Sequence, residues 1–356
     1  MKDFLDFAYD AQPMRVVFRP GAALTATAGE AERLGLRRVL VLSGARGADT
    51  AQAVADSLGE VCVGVHAEAR MHVPVEVADR AVELARTLGA DGCVAVGGGS
   101  AVGLGKVIAL RTGLPLIAVP STYSGSEMTP VWGLTEHGAK RTGRDPAVLP
   151  RSVVYDPELT LDLPVPLSVT SGINAIAHAV EALYAPDTSP LIAMMAEEGV
   201  GVLADALPDL AAEPRSSEAR SRALYGAWLC GTCLGGTTMG LHHKLCHVLG
   251  GTFGLPHAET HTVVLPYALA YNEAAAPEAA AAVARALDAE EAPRALWNLA
   301  RRLDAPRSLA ELGLNEDDLA TAAAQAVSQA YANPRPVTED GVLALLRAAY
   351  SGTPPT

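Results

Sequence analysis

The chain has 356 residues, about half of them apolar, with aromatic residues at only 4% and a formal net charge of −13. That length predicts two domains. The acidic balance argues against a nucleic-acid surface, which needs clustered Lys and Arg, and no uncharged apolar run approaches the roughly 18 residues of a membrane span. Scarce aromatics and abundant alanine predict a core of Ala, Val and Leu on closely packed helices.

The first residues, MKDFLDFAYDAQP, lack a cationic start followed by an apolar run, so no secretory leader is expected and the protein is expected in the cytoplasm. From there, strand and helix signals alternate. RRVLVLSG (37–44) is a short apolar run closed by Gly44, residues 50–58 have a helical pattern, and EVCVGVHA (60–67) is a second strand. VEVADRAVELARTLG (75–89) is an amphipathic helix, DGCVAVGGG (91–99) a strand running into glycines, LPLIAVPST (114–122) a strand, and SVVYD (152–156) another. Strands alternating with helices predict a doubly wound parallel sheet, a Rossmann-like α/β domain over residues 1–158.

After that the β-branched runs thin out. VTSGINAIAHAVEALYA, PLIAMMAEEGVGVLADAL, SEARSRALYGAWLC and APEAAAAVARALDA are Ala-rich helical stretches, which predicts an all-α C-terminal domain over residues 159–356. The tail SGTPPT is expected to fray. The five cysteines are an odd and low number, so disulfides are not expected. Cys230 and Cys233 form a CxxC, but within an apolar segment where core packing is the stronger expectation than redox chemistry.

Two loops carry a ligand signal. CVAVGGGSAVGLGK (93–106) sets Gly97, Gly98, Gly99 and Ser100 between a buried strand and a helix, where glycine permits close backbone approach and the helix N-terminus offers N–H groups to a phosphate. It is neither a P-loop nor a G-x-G-x-x-G after the first strand; a plain strand-to-helix turn is the bland alternative. PSTYSGSEMTP (120–130) follows the next strand and supplies hydroxyls, so one nucleotide at the carboxyl ends of the strands would touch both.

A polar constellation sits on the helical half. Asn174 and His178 stand four apart, as do His243 and His247, and His257 follows Pro256. Pairs at that spacing share a helix face. A single buried histidine is usually a satisfied core residue; five polar groups in this pattern point to acid/base, anion-binding or metal chemistry.

GGGSAVGLGK, N-A-I-A-H at 174–178 and H-x-x-x-H…P-H at 243–257 together resemble the iron-containing (group III) alcohol dehydrogenases. The resemblance spans nearly the whole chain and is closer still to the maleylacetate reductase branch, through SEMTP, RDPAVLP, SVTSG, HAVEALYAP, YGAWLCGTCLG, HHKLCH and LPHAETHTVVLP. It implies an active site in the cleft between the two domains, a homodimer, and NADH or NADPH as cofactor. It implies reduction of the enone double bond of maleylacetate, a small dicarboxylate, to 3-oxoadipate in aromatic-compound degradation. A metal-dependent alcohol or aldehyde dehydrogenase, or a biosynthetic reductase of a related enone or keto acid, are the competing readings.

In the metal-dependent members an Asp and three His hold the ion, and the matching positions here are Asn174, His178, His243 and His257. Asn174 is the departure: a neutral amide is a weaker ligand than a carboxylate. The site is therefore expected to be vestigial, with no metal required and room only for residual Zn or Fe binding. His243, His247 and His257 are expected to be catalytic, with Asn174, His178, Lys244 and Arg335 binding substrate. Where NAD-specific members end a strand in Asp, this chain has Gly44 with Arg46 beside it, which removes repulsion against a 2′-phosphate. Ser121, Thr122, Ser126 and Lys140 complete the implied cofactor contacts.

Overall fold

The computed structural model describes residues 6–136 and 139–355 and, of residues 139 and 140, the backbone alone. It divides into two compact units, one of residues 12–163 and one of residues 164–355 together with 6–11.

The first unit carries β1 (Arg15–Phe18), β2 (Val39–Leu42), β3 (Cys62–His66), β4 (Gly92–Gly97), β5 (Leu116–Pro120), β6 (Val131–Glu136), β7 (Ala139–Arg144) and β8 (Ser152–Tyr155). They alternate with α1 (Ala22–Thr25), α2 (Thr27–Arg33), α3 (Ala48–Leu58), α4 (Val75–Thr87) and α5 (Gly99–Thr112). Six strands form one parallel sheet in the order β1-β8-β5-β4-β2-β3, while β6 and β7 pair as a separate antiparallel ribbon. Helices on both faces explain why β2, β5 and β8 read as unbroken apolar runs, buried at every position. One buried cluster lies on each face of the sheet, around Leu40 and Leu104 on one side and Val41 and Val94 on the other. β1 and the β6–β7 ribbon went unforeseen: both are short, partly exposed and without a clean apolar alternation.

Strand β2 pairs with β3 on one side and β4 on the other, so the winding direction reverses between β2 and β4. Open α/β sheets bind ligands at such a reversal, beyond the carboxyl ends of the strands. The turns at Ser43–Gly47 and at Gly97–Ser100 both emerge there.

The second unit is helical: α6 (Val165–Leu183), α7 (Pro190–Ala212), α8 (Ser217–Gly236), α9 (Leu241–Phe253), α10 (His257–Glu273), α11 (Pro277–Ala286), α12 (Ala292–Arg302), α13 (Leu319–Val327) and α14 (Glu339–Ser351). Helix α6 is buried continuously from Ser168 to Ala182, with Asn174, His178 and Glu181 among its buried residues. Small residues set the spacing of its neighbours. A Cβ on Gly172 would lie 2.6 Å from Leu207, and one on Gly199 would lie 2.8 Å from Cys230 Sγ. The core is thus Ala-, Val- and Leu-rich, as composition predicted. Cys230 and Cys233 are both fully buried, and burial drives the Cys233 thiol up to about 12, away from the range of a reactive thiolate. The described part of the C-terminal tail, to Pro355, is anchored rather than frayed: Tyr267 donates to Thr353 O at 2.8 Å and Pro355 is buried, which a polar, Pro-rich segment does not advertise.

No helix among the described residues is long and apolar enough to cross a membrane.

Candidate active site

At the nucleotide end, Gly97 takes φ +140, a conformation L side chains rarely adopt, and ends β4. Gly98 precedes α5 with no side chain capping the helix, leaving its first amides open to an anion. A Cβ on Gly98 would meet the Thr122 methyl at 2.8 Å and its hydroxyl at 2.9 Å, so only glycine lets this turn lie against the hydroxyl-bearing loop. Ser121 N donates to Gly97 O at 3.2 Å, which ties the loop after β5 to the loop after β4. The donor set and the missing Cβ fit a dinucleotide pyrophosphate. Gly44 stands after β2 in extended backbone and Arg46 is exposed beside it. Ser126 opens a 3-10 turn after the loop. Lys140 lies in β7, its side chain outside the described residues.

On the helical unit, six histidines gather from three helices: His178 on α6; His242, His243 and His247 on α9; His257 and His261 on α10. Ring centroids lie 5.0 Å apart for His178–His243, 4.9 Å for His243–His261 and 4.4 Å for His257–His261. Of the expected residues, Asn174, His178 and His243 are buried, His257 and Lys244 are half-buried, and His247 is exposed. Arg335 is exposed, with its guanidinium 4.2 Å from the Tyr271 ring centre and bonded to Tyr271 O. Its neighbour Asn333 accepts from the Leu241 amide at 3.4 Å, which docks the NPRP segment at the start of α9.

Asn174, His178 and His243 form a hydrogen-bonded chain that ends on Glu181 of α6. Glu181 Oε2 lies 2.6 Å from His243 Nδ1, His243 Nε2 is 2.9 Å from His178 Nδ1, and His178 Nε2 is 3.3 Å from Asn174 Nδ2. Glu181 is fully buried. Burial alone would raise its pKa, but the His243 hydrogen bond, the charge that His243 and His242 carry in acid, and the His242 amide bring it down to about 2. An ionised Glu181 only accepts, so His243 carries its proton on Nδ1. With that one proton on Nδ1, His243 accepts at Nε2, which suits a His178 that donates from Nδ1 and takes the Asn174 NH₂ at Nε2. One charge at the end of the chain orders every proton in it. The Asn174 Oδ1 is left buried without a hydrogen-bond partner.

Glu181 also accepts from the amides of Gly240 (3.1 Å), His242 (2.8 Å) and His243 (3.3 Å), capping α9, whose own N-cap residue, Gly240, has no side chain to do so. The residues that sequence reasoning passed over are Glu181, His242 and His261. Glu181 lies i+3 from His178 on an apolar helix, which is a legible signal for a buried partner. His242 Nε2 and His261 Nδ1 bond at 2.9 Å. Burial, with the charge of His243 and His247 opposing Glu181, pushes His242 down to about 3, and burial holds His261 well below the usual histidine range. Both stay neutral at physiological pH.

Residues 13–157 match the profile of iron-containing alcohol dehydrogenases, and residues 168–350 match the C-terminal part of the Fe-containing alcohol dehydrogenase family. The chain belongs to the iron-containing alcohol dehydrogenase family. It is 54% identical to the maleylacetate reductase of Burkholderia cepacia over 98% of this chain and 99% of that one. It is 52% identical to the maleylacetate reductase of Sphingobium indicum over 99% of both. The crystal structure of maleylacetate reductase from Agrobacterium tumefaciens superposes with a TM-score of 0.95 at 51% identity, covering 98% of this chain and 99% of that one.

The family's name implies an iron ion, and the residues here do not fit one as placed. Both ring nitrogens of His243 face protein partners, His178 faces the amide nitrogen of Asn174 rather than its oxygen, and the carboxylate ligand is absent. Among the described residues, the three His, Cys, Asp or Glu ligand atoms within 4.8 Å of one another belong to His242, Cys246 and His261 instead, at 0–2% exposure.

Proposed function

We propose that the protein is an NAD(P)H-dependent oxidoreductase that reduces the enone double bond of maleylacetate to 3-oxoadipate. Identity above 50% across whole chains to maleylacetate reductases supports the activity. The site observation that carries it is the amide of Asn174 at the end of the histidine chain. The one carboxylate in that chain, Glu181, is turned onto α9 amides and His243, away from the amide end.

Bound NAD(P)H would supply a hydride whose pair forms the new C–H bond at the alkene carbon β to the ketone; the alkene π pair then shifts toward the carbonyl carbon and the carbonyl π pair onto oxygen, giving an enolate. A proton then returns to the α-carbon. A neutral amide at position 174 spares a dianionic substrate the repulsion of a carboxylate, which at about 4 Å and an effective dielectric of about 20 amounts to about 4 kcal/mol. His247 and His257, the members that reach the surface, are proposed as the hydrogen-bond and proton donors to the enolate. His243, bonded at both nitrogens, and His178 hold the floor with Asn174. Lys244 and Arg335 are proposed to pair with the substrate carboxylates. Gly44 and Arg46 suit either NADH or NADPH, because position 44 carries no carboxylate to repel a 2′-phosphate and Arg46 could attract one. The chemistry requires no metal, and a cytoplasmic homodimer is the form proposed.

The test is NADH and NADPH oxidation with maleylacetate against simple aldehydes, alongside elemental analysis and chelation. Turnover of maleylacetate by chelated, metal-free enzyme is expected. Turnover of aldehydes alone, lost on chelation with stoichiometric metal, would overturn the reading in favour of a metal-dependent alcohol dehydrogenase.

A further inference from the structure

The interior of the α/β unit holds a second polar cluster that the mechanism above does not use. Lys106, two turns into α5, is 1% exposed, yet its Nζ donates to Ser126 O at 2.6 Å, Val131 O at 2.8 Å and Thr129 Oγ1 at 2.9 Å. Three acceptors take all three N–H bonds of an ammonium; a neutral amine has two. Burial drags Lys106 down to about 7, and the nearby buried Glu127 opposes that fall. Glu127 in turn accepts from the Tyr155 hydroxyl at 2.7 Å, at the end of β8.

The three acceptors share a location. Ser126 and Thr129 close the hydroxyl-rich loop that begins at Ser121, and Val131 opens β6. The helix bearing Lys106 is the one whose N-terminus opens at Gly98–Ser100. Loop and helix therefore meet twice, where Gly98 lies against Thr122 and where Lys106 grips the loop's far end. A loop that exposes its own backbone holds its shape only if those groups are satisfied elsewhere.

We propose that Lys106 is the positioning residue of the dinucleotide site: its buried ammonium fixes the 121–129 loop against the N-terminus of α5, so that hydroxyls and helix amides meet the nucleotide in one arrangement. Lys106 itself touches no ligand. The proposal rests on the reading that this end of the sheet binds NAD(P)H.

The experiment measures NADH binding by fluorescence titration and calorimetry, with kcat and KM in parallel. Wild-type protein that binds neither NADH nor NADPH would remove the nucleotide reading itself. Given wild-type binding, folded Lys106→Met is expected to weaken Kd for NADH about tenfold or more, while kcat at saturating NADH stays within about threefold and KM for the second substrate is unchanged. Thr129→Val, which removes the Lys106 acceptor together with the hydroxyl's bonds to Ser126 O and the Val131 amide, and no charge, is expected to weaken Kd by about threefold to tenfold. Either folded variant binding NADH within about twofold of wild type would overturn the proposal, as would a loss confined to kcat. If Lys106→Met does not fold, Thr129→Val decides on the same terms.

Discussion

The Glu181 carboxylate and the His243 imidazole meet at 2.6 Å, with the carboxylate on α6 and the ring on α9. The pair joins two functions in one contact. Glu181 stands in for the missing N-terminal cap of α9, and it selects which nitrogen of His243 bears the proton.

Glu181→Gln tests that coupling. The variant keeps the shape but loses the charge that holds the His243 proton on Nδ1, and in either orientation its NH₂ group faces an α9 amide that Glu181 accepts from. With NADH and maleylacetate, kcat/KM is expected to fall by about 10- to 100-fold, the range seen when a carboxylate orienting a functional histidine is lost. The ¹⁵N shifts of the imidazoles would report the tautomer change. Unchanged shifts with unchanged kinetics would take Glu181 out of the site.

Asn174→Asp restores the family's carboxylate. A second negative group beside the substrate pocket is expected to raise KM for maleylacetate by about tenfold or more and to raise bound Zn or Fe in the purified protein. Wild-type KM in a metal-free Asn174→Asp preparation would show that the amide is not there for the anion.

Acid stability follows from the buried groups. Glu181 sits near 2 when folded against an ordinary 4.5, so its contribution is fully present above 4.5 and is lost as pH falls toward 2. His242 sits near 3 against 6.5; below 6.5 the unfolded chain takes up a proton that the folded state refuses, so stability again declines as pH falls from 6.5 to about 3. Urea midpoints should therefore climb from pH 3 to pH 6.5 and level off there. His242→Gln should flatten the upper part of that climb, and a parallel curve for the variant would contradict the assignment.

Gly98→Ala places a methyl 2.8 Å from the β-branched Thr122, which has little freedom to move. Affinity for NADH is expected to drop by about tenfold or more, with partial recovery in Gly98→Ala/Thr122→Ser. Full affinity in the single variant would mean the loop yields more readily than its geometry implies.

Of the five thiols, Cys62 is half-buried and the other four are buried. Reaction of native protein with a thiol reagent at pH 8 should stop near one equivalent, with all five titrated in denaturant, and Cys230→Ala should retain activity. A fast-reacting Cys230 or Cys233 would revive the redox reading of the CxxC.

Much of this was written in local pattern. Unbroken apolar runs marked β2, β4, β5 and β8, because strands covered on both faces leave no polar positions; glycines after β4 marked the turn where a side chain would collide. The i,i+4 spacing of Asn174/His178 and His243/His247 marked helix faces, and the family resemblance placed them in one site. The exposed β6–β7 ribbon and the anchored tail escaped, since their stability comes from distant partners rather than from their own sequence. What only the tertiary structure decided is the direction of each proton. Glu181 is one more acid on a helix until α9 sets His243 Nδ1 and three amides against it; a spacing of residues fixes a face, but hydrogen-bond polarity depends on which atoms from different helices arrive within 3 Å.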